Sequence, residues 1–116
     1  MATILVVEDE EAMRYVIAKI LQLTGHEVIT ASNGLEAIAL FRSSPERFDV
    51  ILTDLQMPLM NGYQLVNLVR ETSANMKIIS MCAYRIEPIP ANTEFLQKPF
   101  QPDALRACVS KLLNRP

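Results

Sequence analysis

The chain has 116 residues and a net charge of −2, and half of its residues are hydrophobic while 21% are charged. This composition excludes a disordered chain and gives no support for direct nucleic-acid binding, and the length predicts one domain spanning residues 1–116. No signal peptide and no apolar run of about 18 residues is present, so we expect a cytoplasmic protein without a membrane span.

Short apolar runs alternate along the chain with stretches in which apolar residues recur at helical spacing. On the first helix, for example, Met13, Val16, Ile17, Ile20 and Leu21 are expected to share one buried face. In chain order we predict strand Thr3–Val7, helix Glu11–Thr24, strand Glu27–Ala31, a helix that follows Ser32-Asn33-Gly34 and ends near Phe41–Ser43, strand Asp49–Thr53, helix Tyr63–Thr72, strand Lys77–Cys82, strand Glu94–Gln97 and helix Asp103–Leu113.

The strands consist of Val, Ile and Leu runs without polar alternation, which is typical of parallel strands buried on both faces. Alternation of strands and helices then predicts an α/β fold. Five strands favour a flavodoxin-like, doubly wound parallel sheet in the order 2-1-3-4-5. The exception is segment 83–93, whose Pro88 and Pro90 disfavour helix, so we expect the fourth crossover helix to be shortened or absent.

Acidic residues follow two of the predicted strands. Glu8 and Asp9 come directly after strand one, and Asp54 ends the apolar run of strand three. The order 2-1-3-4-5 places these strand ends side by side, where ligands collect in open α/β sheets. Three carboxylates there predict a Mg²⁺ site, to which the backbone carbonyl of Gln56 could add another oxygen. Asp54 is then a candidate nucleophile toward phosphorus.

A lysine is expected at the same edge of the sheet. Lys98 follows strand five, and its ammonium could pair with Asp54 or with a phosphoryl oxygen. The Lys98–Pro99 bond is a candidate cis peptide. Phe95, three residues earlier, is either ordinary core or an aromatic whose burial changes with the state of the site.

The two cysteines and the single histidine offer little chemistry. Cys82 and Cys108 lie in apolar runs without motif spacing, so buried thiols are expected rather than a disulfide or a metal site. His26 follows Gly25 in a predicted loop and has no partner residues for metal binding.

Over essentially its whole length the chain resembles bacterial two-component response-regulator receiver domains. The resemblance implies that Asp54 is the phosphoacceptor, that Glu8 and Asp9 form the Mg²⁺-binding acidic pair, that Lys98 senses the phosphoryl group and that Phe95 takes the aromatic switch position. The segments that carry it are Ile4-Leu-Val-Val-Glu-Asp-Glu10, Ala31-Ser-Asn-Gly-Leu-Glu-Ala37, Asp49-Val-Ile-Leu-Thr-Asp54, Met57-Pro-Leu-Met-Asn-Gly62 and Gln97-Lys-Pro-Phe100.

The resemblance further implies partners and a signalling role. The phosphodonor would be a phosphohistidine on a sensor kinase or phosphotransfer protein, and a downstream protein target would receive the signal. The chain would act as a monomer or weak dimer in a phosphorelay, and it would catalyse only its own phosphorylation and dephosphorylation.

Two departures from the family pattern leave alternatives open. Cys82 stands where the family usually carries Thr or Ser, and a thiol is a weak hydrogen-bond donor. Segment 83–93 is short where the family has a fourth helix. A degenerate receiver that binds a partner constitutively, without a phosphorylation switch, is therefore the alternative. A small phosphatase is a third hypothesis, weakened because Gln56 occupies the place of a general acid.

Overall fold

The computed structural model describes residues 1–84 and 88–115. Within them a five-stranded parallel sheet is flanked by four α-helices, and a 3₁₀ helix at Pro45–Arg47 precedes the third strand. The strands are β1 (Thr3–Val7), β2 (Glu27–Ala31), β3 (Val50–Asp54), β4 (Lys77–Cys82) and β5 (Glu94–Gln97). The helices are α1 (Glu11–Leu23), α2 (Gly34–Ser43), α3 (Gly62–Thr72) and α4 (Pro102–Leu113).

The order of strands in the sheet is β2-β1-β3-β4-β5, which confirms the predicted flavodoxin-like topology. Consecutive crossovers are helical except for the connection from β4 to β5, in whose described residues the structure contains no helix. Residues 85–87 of that predicted helix-free segment lie outside the described part. Among the described residues no helix is both long and apolar enough to cross a membrane.

Most element boundaries agree with the sequence prediction, and the differences have local causes. β3 runs from Val50 to Asp54 rather than from Asp49 to Thr53. At its start the Asp49 carboxylate accepts a hydrogen bond from the backbone N–H of Thr3 at 2.8 Å. α3 begins one residue early, at Gly62, where Asn61 and Gln64 form a reciprocal capping box. α4 likewise begins one residue early, with Pro102 in its first turn.

The helix α1 ends at Leu23, one residue before the predicted end. Gly25 follows with φ 102°, a left-handed conformation that suits a glycine after a helix. The predicted buried face of α1 is also one residue too wide: Val16 is 49% exposed, while Ile17 and Leu21 are fully buried. Only a stripe along the helix meets the sheet, so residues on its flank remain in solvent.

Two apolar layers enclose the sheet. Helices α1 and α4 pack on one face, and α2 and α3 pack on the other. Alternate side chains of β1 point to opposite faces of the sheet: Ile4 and Val6 pack in the first layer, and Leu5 and Val7 pack in the second. Burial of each such aliphatic side chain contributes about 2 kcal/mol. The central strands are thereby fixed in register, and so are the residues at their carboxyl ends.

The shortened β4–β5 connection is held against α3 by an arginine. The guanidinium of Arg70 donates hydrogen bonds to the backbone carbonyls of Met76 at 2.5 Å, Asn92 at 2.8 Å and Ala74 at 3.1 Å. Thr93 adds a second attachment, because its hydroxyl meets that of the buried Ser80 at 3.0 Å. Side-chain hydrogen bonds thus fix the end of the connection that leads into β5.

The only histidine, His26, lies at the amino end of β2 and is neutral. The backbone N–H of Ala2 donates to Nδ1 of His26 at 3.1 Å, so this nitrogen carries no proton. Burial and the nearby amino terminus lower the pKa of His26 below its ordinary value of 6.5. The contribution of this hydrogen bond to stability is therefore complete above that ordinary value. It declines as the pH falls from there through the lower pKa of the folded state, because the unfolded chain binds the proton first.

We expect the stability advantage of the wild-type protein over His26→Gln to shrink between pH 7.5 and pH 5.5. Urea denaturation of both proteins at the two pH values measures it, and the difference between them isolates the histidine from other groups that titrate in this range. An advantage that grows toward pH 5.5 would contradict the hydrogen-bond assignment.

Candidate functional site

Three carboxylates from two neighbouring strand ends meet at the carboxyl edge of the sheet. Val7 pairs with Thr53 in the β1–β3 register, so the residues that follow them, Glu8 and Asp54, are brought side by side. Carboxylate oxygens of Glu8, Asp9 and Asp54 lie within 4.8 Å of one another. Glu8 and Asp54 are buried, at 1% and 6% exposure, while Asp9 is exposed. The predicted convergence of these acids is thus present.

Lys98 supplies the positive charge that faces the acids. Its Nζ lies 2.5 Å from Oε1 of Glu8 and 2.9 Å from Oδ2 of Asp54. The backbone N–H of Lys98 donates to the carbonyl of Cys82 at 3.0 Å, which continues the β4–β5 pairing. The Lys98–Pro99 peptide is cis, as the sequence predicted. The lysine therefore bridges both buried acids.

The proton affinities at this edge reflect burial and pairing together. Burial raises the pKa of Glu8 to about 7, and the charge of Asp54 adds to this, although the hydrogen bond from Lys98 opposes it. Burial pulls the pKa of Lys98 down, but its hydrogen bonds to Glu8 and Asp54 outweigh that effect and raise it. One lysine thus holds two buried carboxylates that repel each other.

Backbone donors and one arginine complete the surroundings of the acids. Gln56 donates its backbone N–H to Oδ1 of Asp54 at 3.2 Å, and Glu10 does the same for Oε2 of Glu8 at 3.2 Å. The guanidinium of Arg14 donates to the backbone carbonyl of Glu8 at 2.9 Å. Arg14 was not predicted from the sequence as part of this site. Its position six residues after Glu8, in α1, could have indicated that its side chain reaches the Glu8 backbone.

Of the remaining predicted residues, Cys82 lies at this edge, while Phe95 lies further from it. Cys82, 2% exposed, ends β4, and its thiol lies 3.3 Å from the backbone carbonyl of Tyr84. It lines a cavity of about 300 Å³ together with Gln56, the second residue after Asp54. Phe95 is half-buried on β5, paired with Ser80 of β4. Cys108 is half-buried in α4, so the prediction of two buried thiols holds fully only for Cys82.

Two glycines let the loops around Asp54 approach more closely than any other residue would allow. A Cβ on Gly62 would lie 2.3 Å from the backbone oxygen of Asp54, and one on Gly34 would lie 2.6 Å from that of Met60. α3 therefore begins against the backbone of Asp54, and α2 begins against the loop that follows it. The sequence alone places both glycines only near helix starts.

Comparison with known proteins agrees with this geometry. The sequence profile of the family described as response regulator receiver domain matches residues 4–110. The Brucella abortus sensor kinase CckA is 33% identical over 120 residues, which cover 98% of this chain and 13% of the kinase. The Bacillus subtilis sporulation initiation phosphotransferase F is 29% identical over 116 residues, which cover 95% of this chain and 92% of that protein.

Solved structures of response regulators are similar to this chain over the whole fold. The response regulator TrrA of Thermotoga maritima, determined in complex with Mg²⁺ and a beryllium fluoride group, superposes with a TM-score of 0.88 at 34% identity. The match covers 97% of this chain and all of the TrrA chain, at 100%. From its sequence profile, its sheet order and these relatives, the chain belongs to the response regulator receiver domain family.

Proposed function

We propose that this chain is a phosphoacceptor in a phosphorelay and that Asp54 takes the phosphoryl group. The observation that carries the proposal is the bridging of Asp54 and Glu8 by Lys98 at 2.9 Å and 2.5 Å, beside Asp9. A buried carboxylate with a lysine on one side and further acids on the other is suited to bind a cation and a phosphoryl group together. Family membership supports the same role.

The donor set at this edge fits Mg²⁺. Glu8, Asp9 and Asp54 offer clustered carboxylate oxygens, which are the ligands this ion prefers, and the backbone carbonyl of Gln56 is the proposed fourth protein ligand. Bound there, the ion would offset negative charge on the phosphoryl oxygens. The TrrA relative was determined with Mg²⁺ and beryllium fluoride, which supports extending the same ligand chemistry to this chain.

The chemical step follows from the placement of Asp54. An ionised Oδ attacks phosphorus, the bond between phosphorus and the donor imidazole nitrogen breaks, and the donor histidine leaves with the electron pair. Lys98 exchanges its contact with Asp54 for one with a phosphoryl oxygen, because its Nζ already lies within hydrogen-bonding distance of the carboxylate. Asp54 thus acts as nucleophile and Lys98 as charge partner.

Transmission of the new charge would run through Cys82 and Phe95, which lie on adjacent strands beside the site. A thiol at Cys82 gives a weaker hydrogen bond to a phosphoryl group than a hydroxyl would. The alternative, a degenerate receiver that binds its partner constitutively, remains motivated by Cys82 and by the β4–β5 connection, in whose described residues there is no helix.

The partners proposed are a sensor histidine kinase or phosphotransfer protein as donor and a downstream protein as target. We also propose that the protein is cytoplasmic, as predicted from the sequence. It would act as a single receiver domain that catalyses only its own phosphorylation and dephosphorylation. The chain spans 13% of the CckA kinase and about half, 47%, of the Porphyra purpurea regulator ycf27, which is 36% identical. The output functions of such longer proteins are therefore not transferred to it.

The proposal is tested by incubating the protein with acetyl phosphate and Mg²⁺ and measuring its intact mass. We expect one added phosphate in the wild-type protein, none in Asp54→Asn, and none when EDTA replaces Mg²⁺. Asp49→Asn is the control, since Asp49 lies at the opposite edge of the sheet and should not affect labelling. An adduct that persists in Asp54→Asn would refute the assignment.

An NMR spectrum recorded with a phosphoryl mimic distinguishes a phosphorylation switch from a domain that binds its partner constitutively. Addition of beryllium fluoride with Mg²⁺ should shift the amide resonances of Phe95 and of the β4–β5 connection if phosphorylation switches the protein. Resonances there that do not move, alongside shifts at Asp54, would favour the constitutive binding module.

A further inference from the structure

A cleft with a cationic rim lies at the amino-terminal end of β4, at the edge of the sheet opposite to Asp54. Lys77 begins β4 and pairs with Val50, the first residue of β3, whereas Asp54 is the last residue of that strand. The cleft has a volume of about 690 Å³, and no acidic residue of the described chain lines it. Small-ligand sites typically have volumes of roughly 300–1,000 Å³. The polar residues that line the cleft are Arg70, Asn75, Lys77, Asn92 and Arg115.

Arg70 presents a cation without an acidic partner to this cleft. Its guanidinium donates three hydrogen bonds, to the backbone carbonyls of Ala74, Met76 and Asn92. A guanidinium has five N–H donors, so two remain for a ligand. Arg70 forms no ion pair with any described residue. Burial lowers the pKa of the Arg70 guanidinium, and no nearby acid counteracts this effect, so its positive charge is uncompensated.

Lys77 supplies a second cation on the same rim. Its Nζ donates to the backbone carbonyl of Arg115 at 3.0 Å, and within the described part of the chain it has no ion-pair partner. An ammonium has three N–H donors, so two are available to a ligand. Arg115 differs, because its guanidinium is already paired with Glu94. The uncompensated charge of the cleft therefore comes from Arg70 and Lys77.

The apolar residues of the cleft offer little surface to a ligand. Met76, Ile78 and Leu112 are only 8%, 1% and 4% exposed. Recognition there has to come from the two cations and from the side-chain amides of Asn75 and Asn92, which can donate further hydrogen bonds. Hydrogen bonds from a cation to an oxyanion are about twice as strong as those between neutral groups. Two cations on one rim therefore favour a ligand with two oxyanion groups.

We propose that this cleft binds a small anion that carries two phosphate or carboxylate groups, one held by Arg70 and the other by Lys77. Because Arg70 also holds the carbonyl of Asn92, the ligand would rest against the end of the β4–β5 connection. The cleft and Asp54 lie at opposite edges of the sheet, so this inference does not depend on the proposed phosphoryl transfer.

The test is an NMR titration of the isotope-labelled protein with pyrophosphate and, separately, with citrate. EDTA is present throughout, so that no metal ion carries these anions to the acidic edge. We expect the amide resonances of Asn75, Lys77 and Asn92 to shift and to saturate at roughly millimolar ligand. Sodium chloride at the same ionic strength should not produce these shifts. A preference between the two anions would identify phosphate or carboxylate as the group that binds.

Lys77→Gln should weaken binding roughly tenfold, because one charge-assisted contact is lost while glutamine can still donate to the Arg115 carbonyl. The matched control is Lys111→Gln, which changes the net charge equally at an exposed position of α4 outside the cleft. It should leave the dissociation constant unchanged.

Absence of saturation with both anions would overturn the proposal, and so would equal shifts with sodium chloride. Shifts centred on Lys98, or the same loss of affinity in Lys111→Gln as in Lys77→Gln, would also overturn it. The wild-type titration locates the binding by itself, so the proposal can fail even if Lys77→Gln does not fold. Labelling of Asp54 by acetyl phosphate should be the same in Lys77→Gln and in the wild-type protein.

Discussion

Replacing Gly62 with alanine is expected to destabilise the protein by about 3 kcal/mol and to abolish phosphate uptake. The added Cβ would lie 2.3 Å from the backbone oxygen of Asp54 and 2.8 Å from Cα of Leu55. Both are backbone atoms, so relief requires moving either the end of β3 or the start of α3. The effect appears as a lower urea midpoint in denaturation followed by circular dichroism, and as lost labelling by acetyl phosphate.

Gly25→Ala separates this steric effect from the conformational effect of losing a glycine. Gly25 has φ 102°, and a Cβ added to it would meet no atom of the described residues within 4 Å, so only strain of about 1–2 kcal/mol is expected there. At Gly62, the first residue of α3, alanine would by helix propensity alone stabilise the helix by less than the roughly 1 kcal/mol of an interior position. A Gly62→Ala protein as stable as wild type would show that the close approach to Asp54 is not required.

Replacing Lys98 with methionine is expected to cost about 3 kcal/mol at pH 8 without metal, because two buried carboxylates lose their cation. Glu8 and Asp54 are 1% and 6% exposed, so water screens their repulsion poorly. The pKa of Glu8, already raised to about 7, should rise further. A raised pKa stabilises the folded protein as protons bind, and the variant binds its proton at a higher pH than the wild type, so the deficit of the variant should shrink as the pH falls from 8 toward about 7 and stay level below that.

Urea denaturation of Lys98→Met and wild type at pH 8 and pH 5.5 measures this dependence. Lys19→Met, at an exposed position of α1, is the matched control and should lie within about 0.5 kcal/mol of wild type at both pH values. Added Mg²⁺ should recover part of the deficit at pH 8, since it would neutralise the same acids. A deficit equal at the two pH values would contradict the assigned pairing.

The sheet could be predicted from the sequence because burial on both faces leaves a simple signal. Runs such as Ile4–Val7 and Val50–Leu52 are uninterrupted, and all of these residues are buried within 1% exposure. Boundaries were less certain where side chains compete with the backbone, as Asp49 does at the start of β3. Val16 was misplaced because helical periodicity gives the direction of the buried stripe better than its width.

The acids and Lys98 could be predicted because each lies at or just after the carboxyl end of a strand, and parallel strands end at one edge. What could not be predicted depends on contacts that no spacing in the sequence specifies. Arg14 reaches the carbonyl oxygen of Glu8 from α1, and Leu59 takes φ 70° in a turn that the Met60 N–H closes onto the Pro58 carbonyl oxygen. Arg70 is a further case, since its bond to Asn92 joins residues 22 positions apart.

The proposed role of the chain depends above all on formation of an acyl phosphate at Asp54. Reduction of the acetyl phosphate-labelled protein with borohydride, followed by peptide mapping, tests it directly, because borohydride converts an aspartyl phosphate into homoserine. We expect homoserine at position 54 and at no other aspartate, and only when Mg²⁺ was present during labelling. Homoserine at Asp9 or elsewhere, or a phosphate that survives borohydride, would contradict it.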